Sequence, residues 1–137
     1  MTFEETRELL KELREARRYA IQVQRDIQSI RENIDALQSP LGKDTAGGGQ
    51  AGSVVERIVI RLVAKQEDLA KALENVMDTE DKLEEAIKTL TAREREIIVG
   101  YYMRDRTHYQ LAREIGYTDR NIIYIKNKAI GKLSKKL

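Results

Sequence analysis

Apolar and small residues recur along the first part of the chain with strictly alternating spacings of four and three residues. This spacing averages about 3.5 residues, whereas an unstrained helix has about 3.6 per turn, so it favours a helix that supercoils against a partner. Thr2 and Glu5 have the spacing of a capping box at the start of this helix, and Pro40 disfavours helix at Ser39. The pattern predicts a first long helix with an inward row at Leu9, Leu13, Ala16, Ala20, Val23, Ile27, Ile30, Ile34 and Leu37.

The same alternation returns after a glycine-rich linker, residues 39–53, at whose end Ser53 and Glu56 form a second possible capping box. Two long helices joined by one linker most simply fold back on each other. Residues 1–90 are therefore predicted to form an antiparallel coiled-coil hairpin. The inward row of its second helix comprises Ile58, Leu62, Lys65, Leu69, Ala72, Val76, Thr79, Leu83, Ala86 and Leu90.

A further apolar row beside the second seam makes the stripe wider than one helix pair needs. It contains Val59, Val63, Ala70, Leu73, Met77 and Ile87. We expect this extra face to pack on a second hairpin or on the C-terminal domain. Self-association is favoured, with a dimer preferred, and the alternative is a monomeric hairpin with a partly exposed face. The residues assigned to the oligomer seam are Leu13, Val23, Ile27, Ile30, Ile34, Leu62, Leu69, Val76 and Leu83.

The last 47 residues, 91–137, contain three short helical patterns, each opened by a threonine with a capping spacing. Thr91 and Glu94 open the first, Thr107 and Gln110 the second, and Thr118 the third. Gly116 closes the middle helix, where a left-handed turn residue costs glycine least. Small and apolar residues at the expected crossing positions predict a helix-turn-helix between His108 and Lys128.

Charge is unevenly divided between the two parts. Residues 1–90 hold 14 basic and 18 acidic side chains, while residues 91–137 hold 11 basic and 5 acidic ones. A basic second part suits an anionic partner such as double-stranded DNA. The phosphate contacts predicted for it are Thr107, His108, Thr118, Lys126, Lys128, Lys132, Lys135 and Lys136.

The composition argues against catalysis and against metal or cofactor binding. There is no cysteine, and the single histidine has no neighbours of the kind that share a metal ion. No apolar run is long enough to cross a membrane, so we expect a cytoplasmic protein. The fold class predicted is all-α, with a long N-terminal coiled-coil hairpin followed by a C-terminal helix-turn-helix domain.

Three segments together resemble region 4 of bacterial sigma factors, which binds a promoter element and contacts RNA polymerase. They are LTAREREII at residues 90–98, LAREIGYT at 111–118 and IKNKAIGKL at 125–133. The order of a helical first half, a glycine-rich loop, a second helix and this module is similar to small phage-encoded transcription regulators of the RinA/ArpU-like group.

The resemblance places Asp119, Arg120, Ile123 and Tyr124 at the base-reading positions of the last helix. Asn121 and Asn127 join them because both are predicted to be exposed and their amides can pair with adenine. Host factors typically carry polar or basic residues where this chain has Asp119, Ile123 and Tyr124, so we expect a site unlike the ordinary host element. The sigma region that melts promoters has no counterpart here, so a complete sigma factor is not expected.

These features predict a sequence-specific transcription activator of late or regulatory phage genes, in the cytoplasm of a bacterial host. Contact with host RNA polymerase is implied by the resemblance alone. The alternative is a DNA-packaging subunit resembling phage small terminases, which form large rings. A third interpretation is a coiled-coil adaptor that binds no DNA.

Overall fold

The computed structural model describes residues 1–37 and 48–137, with only the backbone described for residues 48–52. The regular secondary structure of the described part consists of helices, without any strand. Helix α1 spans Phe3–Leu37 and α2 spans Gly48–Lys88. Three shorter helices follow, namely α3 at Ala92–Ile98, α4 at His108–Ile115 and α5 at Asp119–Lys136. The all-α prediction is confirmed.

The predicted start of α1 is confirmed, but the predicted start of α2 is wrong. Glu5 donates its amide to Thr2 Oγ1 at 3.1 Å, and Thr2 donates its amide to Glu5 Oε1 at 3.3 Å. Helix α2 begins at Gly48, so Ser53 lies inside it instead of capping it. Glycine disfavours helix by only about 1 kcal/mol per residue, which the surrounding helix can outweigh. Ser39, Pro40 and Gly47 lie outside the described residues.

One compact unit comprises residues 1–18 and 74–137. Its core joins the beginning of α1 and the end of α2 to the last helix, since Leu10, Leu83 and Ile130 are each 0% exposed in one apolar cluster. Arg17 pairs with Glu80 across the two long helices. From the sequence we expect residues 1–90 to serve in oligomerisation and residues 91–137 to bind DNA. This functional division stays a prediction.

The second compact unit comprises residues 19–73. Lys65 and Asp26 lie 3.5 Å apart, and Ile30 shares a surface depression with Val54 and Ile58. Residue numbers in α1 therefore rise as those in α2 fall, so the helices pair antiparallel within one chain. The residues predicted for the oligomer seam are already covered in the single chain. Five of them are buried, and the other four, Ile30, Ile34, Leu62 and Leu69, are half-buried. Their role between chains stays a prediction.

The outer apolar row is only partly covered. Val59, Val63, Leu73 and Met77 remain 40–61% exposed, whereas Ile87 is buried in the core of the first unit. A partly apolar face of α2 is thus left open to solvent in the single chain, and its coverage by a second copy stays a prediction.

A π-helical turn, Val99–Met103, extends α3 and brings the chain against α4. Gly100 is buried here, and a Cβ at this position would lie 2.7 Å from Leu111 Cδ2, so the close packing of Leu111 requires a residue without a side chain. Asp105 then reverses the chain with a φ of 54°, a left-handed conformation that aspartate tolerates better than most residues. The close packing of Leu111 on Gly100 positions α4 against the end of α3.

Two helical glycines should respond in opposite directions to alanine. Gly100→Ala should lower the free energy of unfolding by about 1–3 kcal/mol, because the added methyl overpacks Leu111. Gly131→Ala should raise it by about 0.5–1 kcal/mol, since a Cβ there meets nothing within 4 Å. Urea unfolding of both variants checks this, and a loss of stability in Gly131→Ala would contradict it.

Candidate nucleic-acid interface

Local capping builds the turn between α4 and α5. Thr107 Oγ1 accepts a hydrogen bond from the Gln110 backbone amide at 3.1 Å, and Gln110 Oε1 accepts one from the Thr107 backbone amide at 2.9 Å, which confirms the predicted box. Gly116 adopts a φ of 84°, as the predicted left-handed turn requires. Thr118 Oγ1 then accepts the Asn121 amide at 3.1 Å and starts α5. Both helix starts and the turn therefore form where the sequence predicts them.

A small apolar cluster fixes the crossing of these two helices. Leu111 and Ala112 from α4 pack with Ile122 from α5 and Ile97 from α3, and all four are at most 4% exposed. Ile122 is one turn from the start of α5, so its burial determines which side of that helix faces away from the protein.

All six predicted base-reading residues lie exposed on α5 or at its first turn. Tyr124 is 66% exposed and Ile123 is 40% exposed, values that are unusual for large side chains in a core. They lie together on one helix, and their contact with DNA stays a prediction. The set is Asp119, Arg120, Asn121, Ile123, Tyr124 and Asn127.

The predicted phosphate contacts divide into two groups. Exposed members are Thr107, Thr118, Lys128, Lys135 and Lys136. His108, Lys126 and Lys132 are half-buried and bind partners inside the protein.

Lys132 is held by a buried carboxylate at the start of α3. Its Nζ donates to Glu94 Oε1 at 2.8 Å, and the same oxygen accepts the Thr91 amide at 3.0 Å. Burial raises the pKa of Glu94, but the bonds from Lys132 and Thr91 outweigh it and leave this pKa below its usual value. The pair joins α3 to α5, so part of the charge of Lys132 is already compensated.

Lys126 lies against an aromatic group on the other side of α5. Its Nζ donates to His108 Nε2 at 2.8 Å and sits 4.1 Å from the centre of the Tyr101 ring. His108 stacks on Tyr101 with ring centres 4.5 Å apart and planes 9° from parallel. Arg14 from α1 lies over the same ring, with its Cζ 4.0 Å from the centre. Sequence reasoning missed Arg14, because no local pattern indicates a contact over such a separation.

Burial and neighbouring cations disfavour charge in this group. Burial, followed by Arg7 and Arg14, lowers the pKa of Lys126 to about 8. Burial, followed by Lys126, also lowers the pKa of His108. A neutral imidazole that accepts from Lys126 at Nε2 carries its proton on Nδ1.

Within the described residues, no three histidine, cysteine, aspartate or glutamate side chains are grouped so that they could hold a metal ion. None of the described helices combines the length and apolar character required to cross a membrane.

Residues 86–135 match the family model described as Sigma-70, region 4. The match starts in the last turn of α2 and covers α3, α4 and nearly all of α5. It confirms the resemblance for this segment and indicates a DNA-binding helix-turn-helix of regulatory type. No curated protein and no solved structure gives a significant match to the chain. Membership of the RinA/ArpU-like group stays a prediction.

The lowered pKa of Lys126 predicts a specific dependence of stability on pH. Between about pH 8 and 10.5 the unfolded chain keeps a proton on this lysine that the folded chain has lost. Stability should therefore rise with pH in this window relative to Lys126→Met, because the unfolded state binds more protons. Burial raises the pKa of Tyr102 to about 12, so near pH 10 the unfolded chain loses a proton that the folded chain keeps, but Tyr102 is present in both proteins and its contribution cancels in their difference.

Urea unfolding of both proteins at intervals from pH 7 to 10.5 measures this difference. Lys128→Met removes the same charge from the exposed side of α5 and serves as the control. A difference between wild type and Lys126→Met that stays constant across the window would contradict the proposed burial of Lys126.

Proposed function

We propose that this protein is a sequence-specific DNA-binding transcription activator of phage genes, acting through residues 107–136. The observation that carries the proposal is the exposed face of α5. It presents Arg120, Tyr124, Asn127 and Lys128, and no acidic residue follows Asp119 on the helix. The match of residues 86–135 to sigma region 4 supports the same interpretation.

In the proposed complex, the first turns of α5 enter the major groove. Arg120 can donate two hydrogen bonds to guanine, and the amides of Asn121 and Asn127 can pair with adenine. Ile123 and Tyr124 offer apolar contact to thymine methyl groups, while Asp119 can accept from a cytosine amine. Sequence reading then depends on the exposed residues alone.

We assign the phosphate contacts first to the exposed lysines Lys128, Lys135 and Lys136. Thr107 and Thr118 use their hydroxyl oxygens as caps, yet each hydroxyl keeps a proton that it can donate to a phosphate. Lys132 is a weaker candidate than its charge suggests, because Glu94 already holds it.

Activation would follow if the DNA-bound protein brought host RNA polymerase to a promoter. This step rests on the resemblance to sigma region 4. We further propose a homodimer whose interface is the exposed row of α2, since the seam between α1 and α2 is occupied within each chain. A dimer would present two reading helices to two half-sites.

Base reading predicts that Arg120→Ala acts differently on different DNA. It should cost about 1–3 kcal/mol of binding free energy on the cognate duplex and little on random DNA. Lys128→Ala is the matched comparison, because a phosphate contact weakens both duplexes alike and lowers the slope of log affinity against log salt by about one. Fluorescence anisotropy with both duplexes over a salt series measures these effects. Equal loss on both duplexes for Arg120→Ala would contradict base reading.

The dimer proposal predicts that charge on the exposed row of α2 separates the subunits. The double variant Val59→Lys with Val63→Lys should become monomeric while keeping its helical circular dichroism, because two buried lysines have no partner across the interface. Ala64→Lys adds charge on another side of the same helix and should leave the mass unchanged. Light scattering gives the mass, and a wild-type monomer would contradict the dimer. A large ring would favour the DNA-packaging alternative.

A further inference from the structure

A basic cavity of about 250 Å³ lies within the first compact unit, between the beginning of α1, the π-helical turn and α5. Its walls carry two tyrosine rings, one glutamate and five cationic side chains. The cations are Arg7, Lys11, Arg14, Arg18 and Lys126. A water molecule occupies about 30 Å³ of liquid, so this volume accommodates a small polyatomic anion together with water.

The acidic neighbours do not balance these cations. Asp105 accepts a hydrogen bond from Arg18 at 2.7 Å, and Arg7 lies 3.5 Å from Glu4. No carboxylate in the described part of the chain lies within ion-pair distance of Lys126, whose one close polar partner there is the His108 ring. The cavity therefore carries an excess of positive charge.

Arg14 adds an unsatisfied donor to the cavity wall. Its side chain is 15% exposed, and its Nε is buried without a hydrogen-bond partner in the described residues. Asp105 Oδ1 lies 3.3 Å from this Nε, close enough for charge attraction but without hydrogen-bond geometry. Buried donors are normally paired, so the Arg14 guanidinium lines the cavity with its hydrogen bonds to the described residues incomplete.

We propose that this cavity binds a phosphate-bearing anion, held by Arg7 and Arg14 from α1 and by Lys126 from α5. The planar fork of an arginine matches phosphate oxygens, and the lysine adds a compact charge. The lowered pKa of Lys126 agrees with this proposal, since a nearby anion would relieve the repulsion from Arg7 and Arg14.

The cavity lies away from Tyr124 but on the side of α5 that also carries Asp119, seven residues before Lys126. Lys126 follows Tyr124 by two residues, which places it on the opposite side of a helix with about 3.6 residues per turn. An anion bound there joins α1 to the helix that carries the reading residues. The phosphate group belongs either to a free small molecule or to the backbone of DNA that approaches α5 from this side.

Pyrophosphate is the probe for the test, added to the full chain at constant ionic strength maintained with chloride. His108 is the only histidine, so its imidazole gives one NMR signal beside the cavity. We expect this signal to shift and saturate, and the pKa of His108 to rise in the bound state. Arg7→Gln and Lys126→Gln should each weaken pyrophosphate binding roughly tenfold, as expected for the loss of a charge-assisted hydrogen bond. Isothermal calorimetry confirms the affinities.

Lys82→Gln removes a charge from the exposed surface of α2 and should bind pyrophosphate like the wild type. Arg7 is exposed, so its replacement tests the site without risk to the core. A shift that never saturates, or equal affinities in Arg7→Gln, Lys126→Gln and Lys82→Gln, would overturn the proposal, because a general salt effect would then explain the shift.

A second titration in the presence of a random-sequence duplex identifies the source of the phosphate. Displacement of pyrophosphate by the duplex supports a DNA backbone phosphate in the cavity. Binding of both together supports a free phosphorylated small molecule. The pyrophosphate titration itself requires no DNA, so it remains informative even if the proposed transcriptional function fails.

Discussion

Burial of one face of α5 is the constraint on which the rest of the first unit depends. Ile130 and Leu133 pack with Leu10 of α1 and Leu83 of α2, while Ile122 packs against α4 in the smaller cluster. Each of these side chains is fully buried, so α5 cannot rotate without exposing apolar surface. The opposite face, with Arg120 and Tyr124, is consequently presented outward by the same packing that stabilises the unit.

Features set by short-range spacing could be predicted from the sequence, and features set by distant contacts could not. The threonine caps and the turn at Gly116 depend on residues at most four apart, and all formed as predicted. The sequence misplaces the start of α2 because a glycine-rich segment predicts a break, whereas glycine is only a weak helix former. The pair of Lys132 with Glu94 spans 38 residues, and no periodicity signals such a contact.

The number of basic residues in each part of the chain does not show where their charged groups lie in the structure. Lys126 and Lys132 contribute to the basic balance of residues 91–137, yet their ammonium groups face His108 and Glu94. Fewer lysines than the sequence suggests are then free for phosphates on the outer face of α5. Helix α1 belongs to the acidic part of the chain, yet four of its cationic side chains line the basic cavity beside Tyr101. Counting charges along the sequence therefore identifies neither the lysines of α5 that are paired internally nor the cations of α1 that line the cavity.

In the proposed function, the outer face of α5 reads a specific DNA sequence. Selection of bound fragments from the genome that encodes the chain, repeated at rising salt, tests it most directly. We expect enrichment of one promoter-proximal site that survives at higher salt and disappears in the double variant Arg120→Ala with Asn121→Ala. Phosphate attraction alone falls steeply with salt and selects no sequence. Uniform recovery of fragments, equal in the wild type and the double variant, would contradict the claim.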